Sequence, residues 1–393
     1  MSITVDVSKH SLNKHSEYLC GDTVEMLKTE KSDVMILADG MGSGVQASIL
    51  STLTAKILGS MFAQGAKLEE CVETVVNTLP VEKVRQVAYS TFTILQIFNN
   101  GEVYLVNYDN PPVIYLKSGV PADLPVTTRV ISGQKIRECR FMVEKGDTLI
   151  LVSDGVTHAG TGRSAYPFGW QWRQAAAYAA EVCGHSASAV RIAVSLTDRC
   201  RELYEGNPDD DTTVVCVRII EAQKVHIMTG PPRDADMDPV ITREFMEDPD
   251  AKKIVSGGTT ATIVSREIGK LLTISLDYMD PDIPPTANME GVDLVTEGIL
   301  TLRRVVELLE KYRKLALPSA AFFRELDRKN AASVMAKMLI EECTDLTMFI
   351  GTAVNSAYQN PDLPIDLGIR QALTKRLVNA MRGLGKRVTV KYY

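Results

Sequence analysis

The chain has 393 residues, 45% of them hydrophobic and 23% charged, with a formal net charge of −6 at pH 7. That length exceeds one typical core and predicts two domains, each able to bury a substantial interior, while the mild acidity argues against general affinity for nucleic acid. No apolar stretch reaches the roughly 18 residues of a membrane span and the N-terminus lacks a charged region followed by a hydrophobic signal core, so a soluble, cytoplasmic protein without membrane attachment is expected.

In chain order, Ser2 to Val7 alternates as a strand, Leu19 to Leu27 reads as a second that passes Asp22, and Asp33 to Leu37 is a buried strand ending at Asp39. After the glycine turn, Gln46 to Phe62 and Lys67 to Leu79 repeat apolar residues at helical spacing. Thr91 to Phe98 and Glu102 to Tyr108 form a hairpin around Asn99-Asn100-Gly101, because asparagine and glycine tolerate positive φ. Asp109-Asn110-Pro111-Pro112 ends that strand, Val113 to Lys117 resumes the sheet, and Gly119 to Pro125 is loop-like.

The apolar run Thr148 to Val152 delivers Asp154, and helical stretches follow near Trp170 to Cys183 and Ser186 to Tyr204. Glu205-Gly206-Asn207-Pro208 breaks the second helix and presents Asp209-Asp210-Asp211, after which Thr213 to Ile220 is a buried strand. Strands in runs and helices in pairs give an α+β domain over 1–222. Over 223–393 short strands (Lys224 to Met228, Lys253 to Val255, Leu271 to Ser275, Val292 to Val295, Leu346 to Ile350, Arg387 to Tyr392) alternate with helices from Pro239, Thr259, Gly298, Pro318 and Ile369 onward, which predicts a second, open and layered α/β domain.

The seven cysteines are scattered without a Cys-x-x-Cys pair and read as small buried thiols. Four aspartates carry the chemistry. Asp22, Asp39, Asp154 and Asp210 each sit where a strand begins or ends, and strand-end carboxylates can converge on two hard divalent cations. An all-oxygen donor set without histidine or thiolate suits Mg or Mn better than structural zinc. Four carboxylates in one cleft resist joint ionisation until cations are bound, and two such ions can hold a shared water as hydroxide for attack on phosphorus. Asp39 is the candidate bridge, since it enters the turn Gly40-Met41-Gly42-Ser43-Gly44, whose glycines let backbone approach the ions and whose Gly40 carbonyl could bind metal. His158 follows Asp154 closely, with capping or packing as the simpler reading.

Taken in order, Asp-Gly-Met-Gly-Ser-Gly, Leu-Val-Ser-Asp-Gly and Asp-Asp-x-Thr resemble the motifs of the type 2C metal-dependent protein phosphatases, in the bacterial branch of the stage II sporulation protein E and stress-response phosphatases. The resemblance covers residues 1–222. It implies a phosphatase β-sandwich flanked by helices, dependence on two Mn or Mg ions, and removal of phosphate from serine or threonine of a phosphorylated protein in bacterial signalling. Asp22 would hold the first metal, Asp39 both, the Gly40 carbonyl the second, and Asp154 and Asp210 further positions, with Asp211 in support. Asn110-Pro111-Pro112 resembles the family's turn near the cleft, and Gln46 to Leu79 its switch helices. Animal relatives bind substrate phosphate with an early arginine; here no arginine precedes Arg85, leaving Lys9 and Lys14 as substitutes. The alternative is a catalytically silent phosphatase-fold scaffold or ligand-binding signalling protein.

In the second domain, Ile254 to Ala261 reads as strand, glycine turn and helix start. Gly257, Gly258, Thr259 and Thr260 could bind a small anionic ligand through helix N-terminal amides, although capping by Thr259 would explain the residues too. Gly-Lys-Ser/Thr is missing, so this is not a nucleotide P-loop. Asp234, Asp236 and Asp238 begin like a calcium loop, but Pro239 and Phe245 stand where glycine and glutamate are needed; Asp238-Pro239 looks instead like a cap and first helical residue. Asp293 to Gly298 forms another strand-to-helix junction that could share a crevice with Gly257 to Thr260. The domain is expected to sense a ligand or position a partner, and the chain could assemble as a homodimer.

Overall fold

A computed structural model describes residues 3–79, 90–163, 165–185, 188–274, 283–314, 320–353 and 365–393. It divides into two compact units, Met1–Glu221 and Ala222–Tyr393.

The first unit contains strands β1 (Thr4–Leu12), β2 (Asp22–Lys28), β3 (Ser32–Gly40), β4 (Ser90–Phe98), β5 (Glu102–Tyr108), β6 (Ile114–Lys117), β7 (Val120–Pro121), β8 (Thr127–Ile131), β9 (Gln134–Met142), β10 (Thr148–Val152) and β11 (Thr212–Ile220). Its helices are α1 (Gly44–Ala63), α2 (Leu68–Thr78), α3 (Asp154–Thr157), α4 (Gln171–His185) and α5 (Ala189–Leu203). One sheet has the order β1-β11-β10-β6-β7 and the other β2-β3-β4-β5-β9-β8, antiparallel throughout.

Alternation along the strands sorts the apolar side chains into three layers. Met35, Leu37, Leu95 and Leu105 meet Leu149, Leu151, Val215 and Val217 between the sheets. The opposite faces pack against helices: Val34, Ile36 and Ile94 against Leu58 and Phe62 of α1 and Val72 of α2, and Ile150, Val214 and Cys216 against Ala175, Ile192 and Leu196 of α4 and α5. The result is a β-sandwich flanked by helices.

The β8–β9 hairpin was not foreseen. Its strands carry charged residues at partly buried positions and so lack clean alternation, yet its two-residue turn, Ser132 (φ 49°) and Gly133 (φ 80°), is a favoured hairpin connection. The loop expected over Gly119 to Pro125 includes the short strand β7, which pairs with β6.

The second unit contains β12 (Lys224–Thr229), α6 (Asp238–Met246), β13 (Lys252–Ser256), α7 (Gly258–Ile268), β14 (Thr273–Ile274), β15 (Ala287–Met289), β16 (Val292–Thr296), α8 (Ile299–Lys314), α9 (Ala320–Leu326), α10 (Ala331–Lys337), β17 (Asp345–Ile350), α11 (Ile365–Gly383) and β18 (Arg387–Tyr392). A 3-10 turn precedes α6 and a π-helical turn follows α10. The sheet order is β14-β15-β16-β13-β12-β17-β18, parallel from β16 to β18, with an antiparallel edge of β14 and β15. In sequence order the parallel strands read 3-2-1-4-5, a doubly wound α/β arrangement whose helix-preceding ends all lie on one edge.

Asp238 is the first residue of α6 and not its cap: Met237 occupies the cap position, and the buried Asp238 carboxylate accepts a 2.6 Å hydrogen bond from Arg266. Thr259 does not cap α7 either, because that place is taken by Gly257 at φ 117° without any side-chain cap bond. Four expected boundaries, Ser2, Ser186, Ser275 and Pro318, lie outside the described residues. The seven cysteines are free, five of them buried. Among the described residues no helix is long and apolar enough to cross a membrane.

Candidate functional site: an acidic cleft

The antiparallel register of β2 and β3 sets Asp22 directly opposite Asp39, and such a cross-strand pair has its β-carbons about 4.5–5.5 Å apart. On its other side Asp39 pairs with Thr91 of β4, and Ser90 Oγ donates to the Asp39 carbonyl at 2.8 Å. Asp154 and Asp210 arrive from the other sheet. Asp154 opens α3 just after β10, and Asp210 lies two residues before β11. Those two strand ends are clamped together: Ser153 N donates to the Thr213 carbonyl at 3.0 Å, and Thr213 N returns a 2.8 Å bond to Ser153 Oγ.

Tight backbone approach closes the cleft. A β-carbon on Gly40 would lie 2.0 Å from the Ala47 carbonyl oxygen, and one on Gly155 would lie 2.2 Å from that of Asp211. These glycines therefore serve packing, of α1 on the end of β3 and of the β11 approach on α3.

The electrostatics are those of crowded acids. Burial, followed by the charges of Asp22, Asp154 and Asp210, pushes the Asp39 carboxyl up to about 9. Burial likewise pushes Asp22 up to about 7, with Asp211 and Asp154 adding to the rise while the hydroxyls of Thr213 and Ser153 oppose it. Asp210 is raised by burial and by Asp154, against the Asp211 amide and the Lys14 ammonium. The neighbouring Cys20 thiol is driven upward chiefly by burial and then by Asp22 and Asp211, which makes it inert at neutral pH.

Both Asp22 carboxylate oxygens are buried without a hydrogen-bond partner, and Asp211 Oδ2 shares that state. The Thr213 hydroxyl beside Asp22 already donates to Ser11 Oγ at 2.8 Å, so its dipole helps while its proton is committed elsewhere. An unpartnered buried carboxylate costs several kcal/mol unless it is protonated or meets a cation. The donor set thus fits hard divalent cations: oxygen only, negatively charged, partly unsatisfied. Among the described residues, however, no three His, Cys, Asp or Glu side chains already surround one common point. Asp154 is the member with most freedom to complete such a shell, because its side chain is 45% exposed and its nearest cation candidate, His158 Nδ1, stands 3.8 Å away.

The four aspartates singled out from sequence therefore act on one another across one cleft. Asp211, placed in support, is held there by the Lys14 amide, which donates to its Oδ1 at 3.0 Å. His158 has the bland role, ending α3 with its N–H on the Asp154 carbonyl at 2.9 Å. Lys9 is turned to the Val24 carbonyl at 3.1 Å, and burial lowers its pKa, which weakens it as a phosphate ligand. What sequence reasoning missed is the hydroxyl shell, in which Ser153 and Thr213 brace the cleft. Asn110, whose turn was expected near the cleft, is buried, accepts from Thr91 at 2.5 Å and donates to Thr93 at 3.1 Å beside the Asp39 strand. The signal for Asn110 was its place before two prolines; Ser153 and Thr213 lie next to the motif aspartates without advertising a function.

Gly257 to Thr260 occupy the far end of β13, next to the end of β16: a β-carbon on Gly298 would lie 3.5 Å from Gly257 Cα. The two strand-to-helix junctions expected to share a crevice are thus in contact.

Comparison with known proteins bears on the first unit. Residues 30–220 match the family model described as Stage II sporulation protein E (SpoIIE). No curated protein matches the chain. Among solved structures, the phosphatase domain with a regulatory fragment of SpoIIE from Bacillus subtilis is 20% identical, with 56% of this chain and 64% of that one covered and a TM-score of 0.45. The RsbU and RsbW domains of Rv1364c from Mycobacterium tuberculosis are 16% identical, with 63% and 69% covered and a TM-score of 0.47. RsbX in complex with magnesium is 20% identical, with 55% and 99% covered and a TM-score of 0.40. This chain thus spans less than two thirds of the Bacillus subtilis SpoIIE chain.

Proposed function

We propose that the first unit, of which residues 30–220 match the Stage II sporulation protein E family model, is a metal-dependent phosphoserine/phosphothreonine protein phosphatase. The observation that carries the proposal is the buried, unpartnered Asp22 carboxylate facing three further acids across one cleft.

In this reading Asp22 would hold the first ion, Asp39 would contribute to both, the Gly40 carbonyl would hold the second, and Asp154 and Asp210 would complete the donor set. Two Mn or Mg ions, when bound, supply Lewis acidity and an activated water at neutral pH. The chain supplies placement. The β2–β3–β4 register fixes Asp22 and Asp39, the Ser153–Thr213 clamp fixes the opposite wall, and the Lys14 amide holds Asp211. The Lys14 ammonium, which already lowers the Asp210 pKa, is the cation best placed to meet a substrate phosphate. The substrate is a phosphorylated protein in a bacterial signalling system. The second unit, in the same proposal, senses a ligand or positions a partner.

A silent scaffold is the second reading, favoured by the fact that the described acids do not already close around one point. Phosphate release from a phosphoserine peptide separates the two. We expect release that requires Mn and disappears in Asp39→Ala. Mn binding without release would leave the scaffold standing.

A further inference from the structure

The first unit also contains a cavity that none of its motif aspartates lines. On β5 and β9, Leu105 and Cys139 are register partners in the core between the sheets. The next pair on the same face, two residues along each strand, is Asn107 and Arg137. There the packing ends and a cavity of about 340 Å³ opens, walled across the way by Val113, just before β6, and by Leu124 in the link from β7 to β8. Trp172 of α4 completes the wall.

Among the described residues that line the cavity, Arg137 is the only cation. Its Nη2 donates to Asn107 Oδ1 at 2.9 Å and to the Asn110 carbonyl at 2.8 Å. Asn107 is itself buried and fixed, its Nδ2 donating to Thr93 Oγ1 and to the Pro111 carbonyl, both at 3.1 Å. Both acceptors of Arg137 are neutral, and no carboxylate of a described residue forms an ion pair with it. Its neighbours differ: Arg140 on the same strand meets Glu102 at 2.7 Å, and Arg129 of β8 meets Glu69 at 2.6 Å and Glu138. The Glu138 carboxylate is therefore engaged on the opposite face of β9, where the Tyr104 hydroxyl also donates to it. Asp123, in the exposed link after β7, is the other acid at the cavity.

A half-buried guanidinium on an apolar wall, without a counter-charge, favours an anionic ligand. Its planar fork matches a carboxylate in two-point contact. One cation balances one negative charge, and Asp123 and Glu138 at the same cavity oppose a second, so a monocarboxylate suits it better than a phosphate dianion.

The apolar walls set the rest of the ligand. The Trp172 indole N–H is spent on the Pro112 carbonyl at 2.7 Å, which leaves the ring to make apolar contact. The volume lies at the low end for small-molecule sites, room for one ring or a branched aliphatic chain. Arg137 and Trp172 are both tied to the turn Asn110-Pro111-Pro112, so the cation and the ring are held in place before any ligand arrives.

We infer that this cavity binds a small monocarboxylate with an aromatic or branched aliphatic body, its carboxylate on Arg137 and its apolar part against Trp172, Leu105 and Leu124.

The test uses the full chain with chelator present. Calorimetry and thermal shift compare phenylacetate and isovalerate with the uncharged phenylacetamide and the cation phenethylamine, up to about 10 mM. One of the acids should bind, and at least roughly tenfold more tightly than the amide or the amine. Arg137→Gln should weaken that acid roughly tenfold or more, whereas Arg140→Gln, which removes a cation from the opposite face of β9, should leave it unchanged. Absence of binding by both acids to the folded protein overturns the proposal. So does equal affinity for phenylacetate and its amide, or binding that Arg137→Gln leaves intact. Should Arg137→Gln fold poorly, Ala122→Phe decides the matter: it fills the cavity without removing a hydrogen bond of Arg137, and acid binding that survives it overturns the proposal. Neither readout uses phosphate release, so the result is independent of the phosphatase reading.

Discussion

In the first unit the strand ends that meet carry carboxylates, Asp22 and Asp39 from one sheet and Asp154 and Asp210 from the other, whereas the parallel strand ends of the second unit carry hydroxyls followed by glycines, at Thr229, Ser256 and Thr296. Antiparallel register made the first arrangement, by placing Asp22 opposite Asp39; parallel register made the second, by lining up Thr229, Ser256 and Thr296 before their glycines. The lesson is that the sign of a site follows from which backbone ends are collected. Parallel strands feeding helices bring helix N-termini to one edge and invite anions, while the acidic cleft must import its positive charge.

The contrast can be broken most severely at the acids. Asp22→Asn should reduce Mn-dependent phosphate release by about 100-fold or more, because it removes a ligand charge. Asp211→Asn should cost much less, since its Oδ1 is already committed to the Lys14 amide. Comparable losses would show that the two are equivalent ligands.

Gly40→Ala comes next. Its new methyl group would collide with the Ala47 carbonyl, so the urea midpoint should fall by an amount corresponding to about 3 kcal/mol. An unchanged midpoint would mean that α1 yields freely to β3.

The third prediction concerns pH in the chelated protein. Asp22 and Asp39 are pushed up to about 7 and about 9, so the folded chain holds protons that the unfolded chain releases near pH 4. Stability contributed by these groups therefore falls as pH rises from about 4 to 9. Mn should abolish the alkaline part of that slope by replacing protons with cations, and Asp39→Asn should flatten it without metal. A chelated protein equally stable at pH 6 and 9 would contradict the crowding.

The smallest effect lies at His10, buried against Thr197, where burial and then the Arg201 charge hold the imidazole down at about 4. A depressed histidine contributes stability above its unfolded pKa near 6.5 and loses it as pH falls through 4, by about 3–4 kcal/mol at most. His10→Gln should remove this acid-side slope, measured by denaturant midpoints between pH 4 and 7. An unaltered slope would assign it to other groups.

How much of this was legible depended on whether the cause was local. Asp-Gly-Met-Gly-Ser-Gly announces a strand end and a close-approach turn in six consecutive letters, and the Asn99-Asn100-Gly101 turn is equally plain. The glycine turn at Gly257 was legible too, but which of the two following threonines is buried was not, because only packing determines that Thr260 is buried while Thr259 is exposed. Asn110 and the Ser153–Thr213 clamp depend on contacts between residues far apart in sequence, which no window of neighbouring letters contains. The hairpin of β8 and β9 stayed hidden for another reason, its mixed charged and apolar faces.

The two sheets also set the order in which the acidic cleft can come into being. Neither sheet alone owns enough acids to grip a cation, and β1 must find β11 across nearly the whole first unit before its own sheet is complete. Cation affinity is therefore a clock for the last stage of folding: in a refolding experiment it should appear only once both sheets have docked, after secondary structure has already formed.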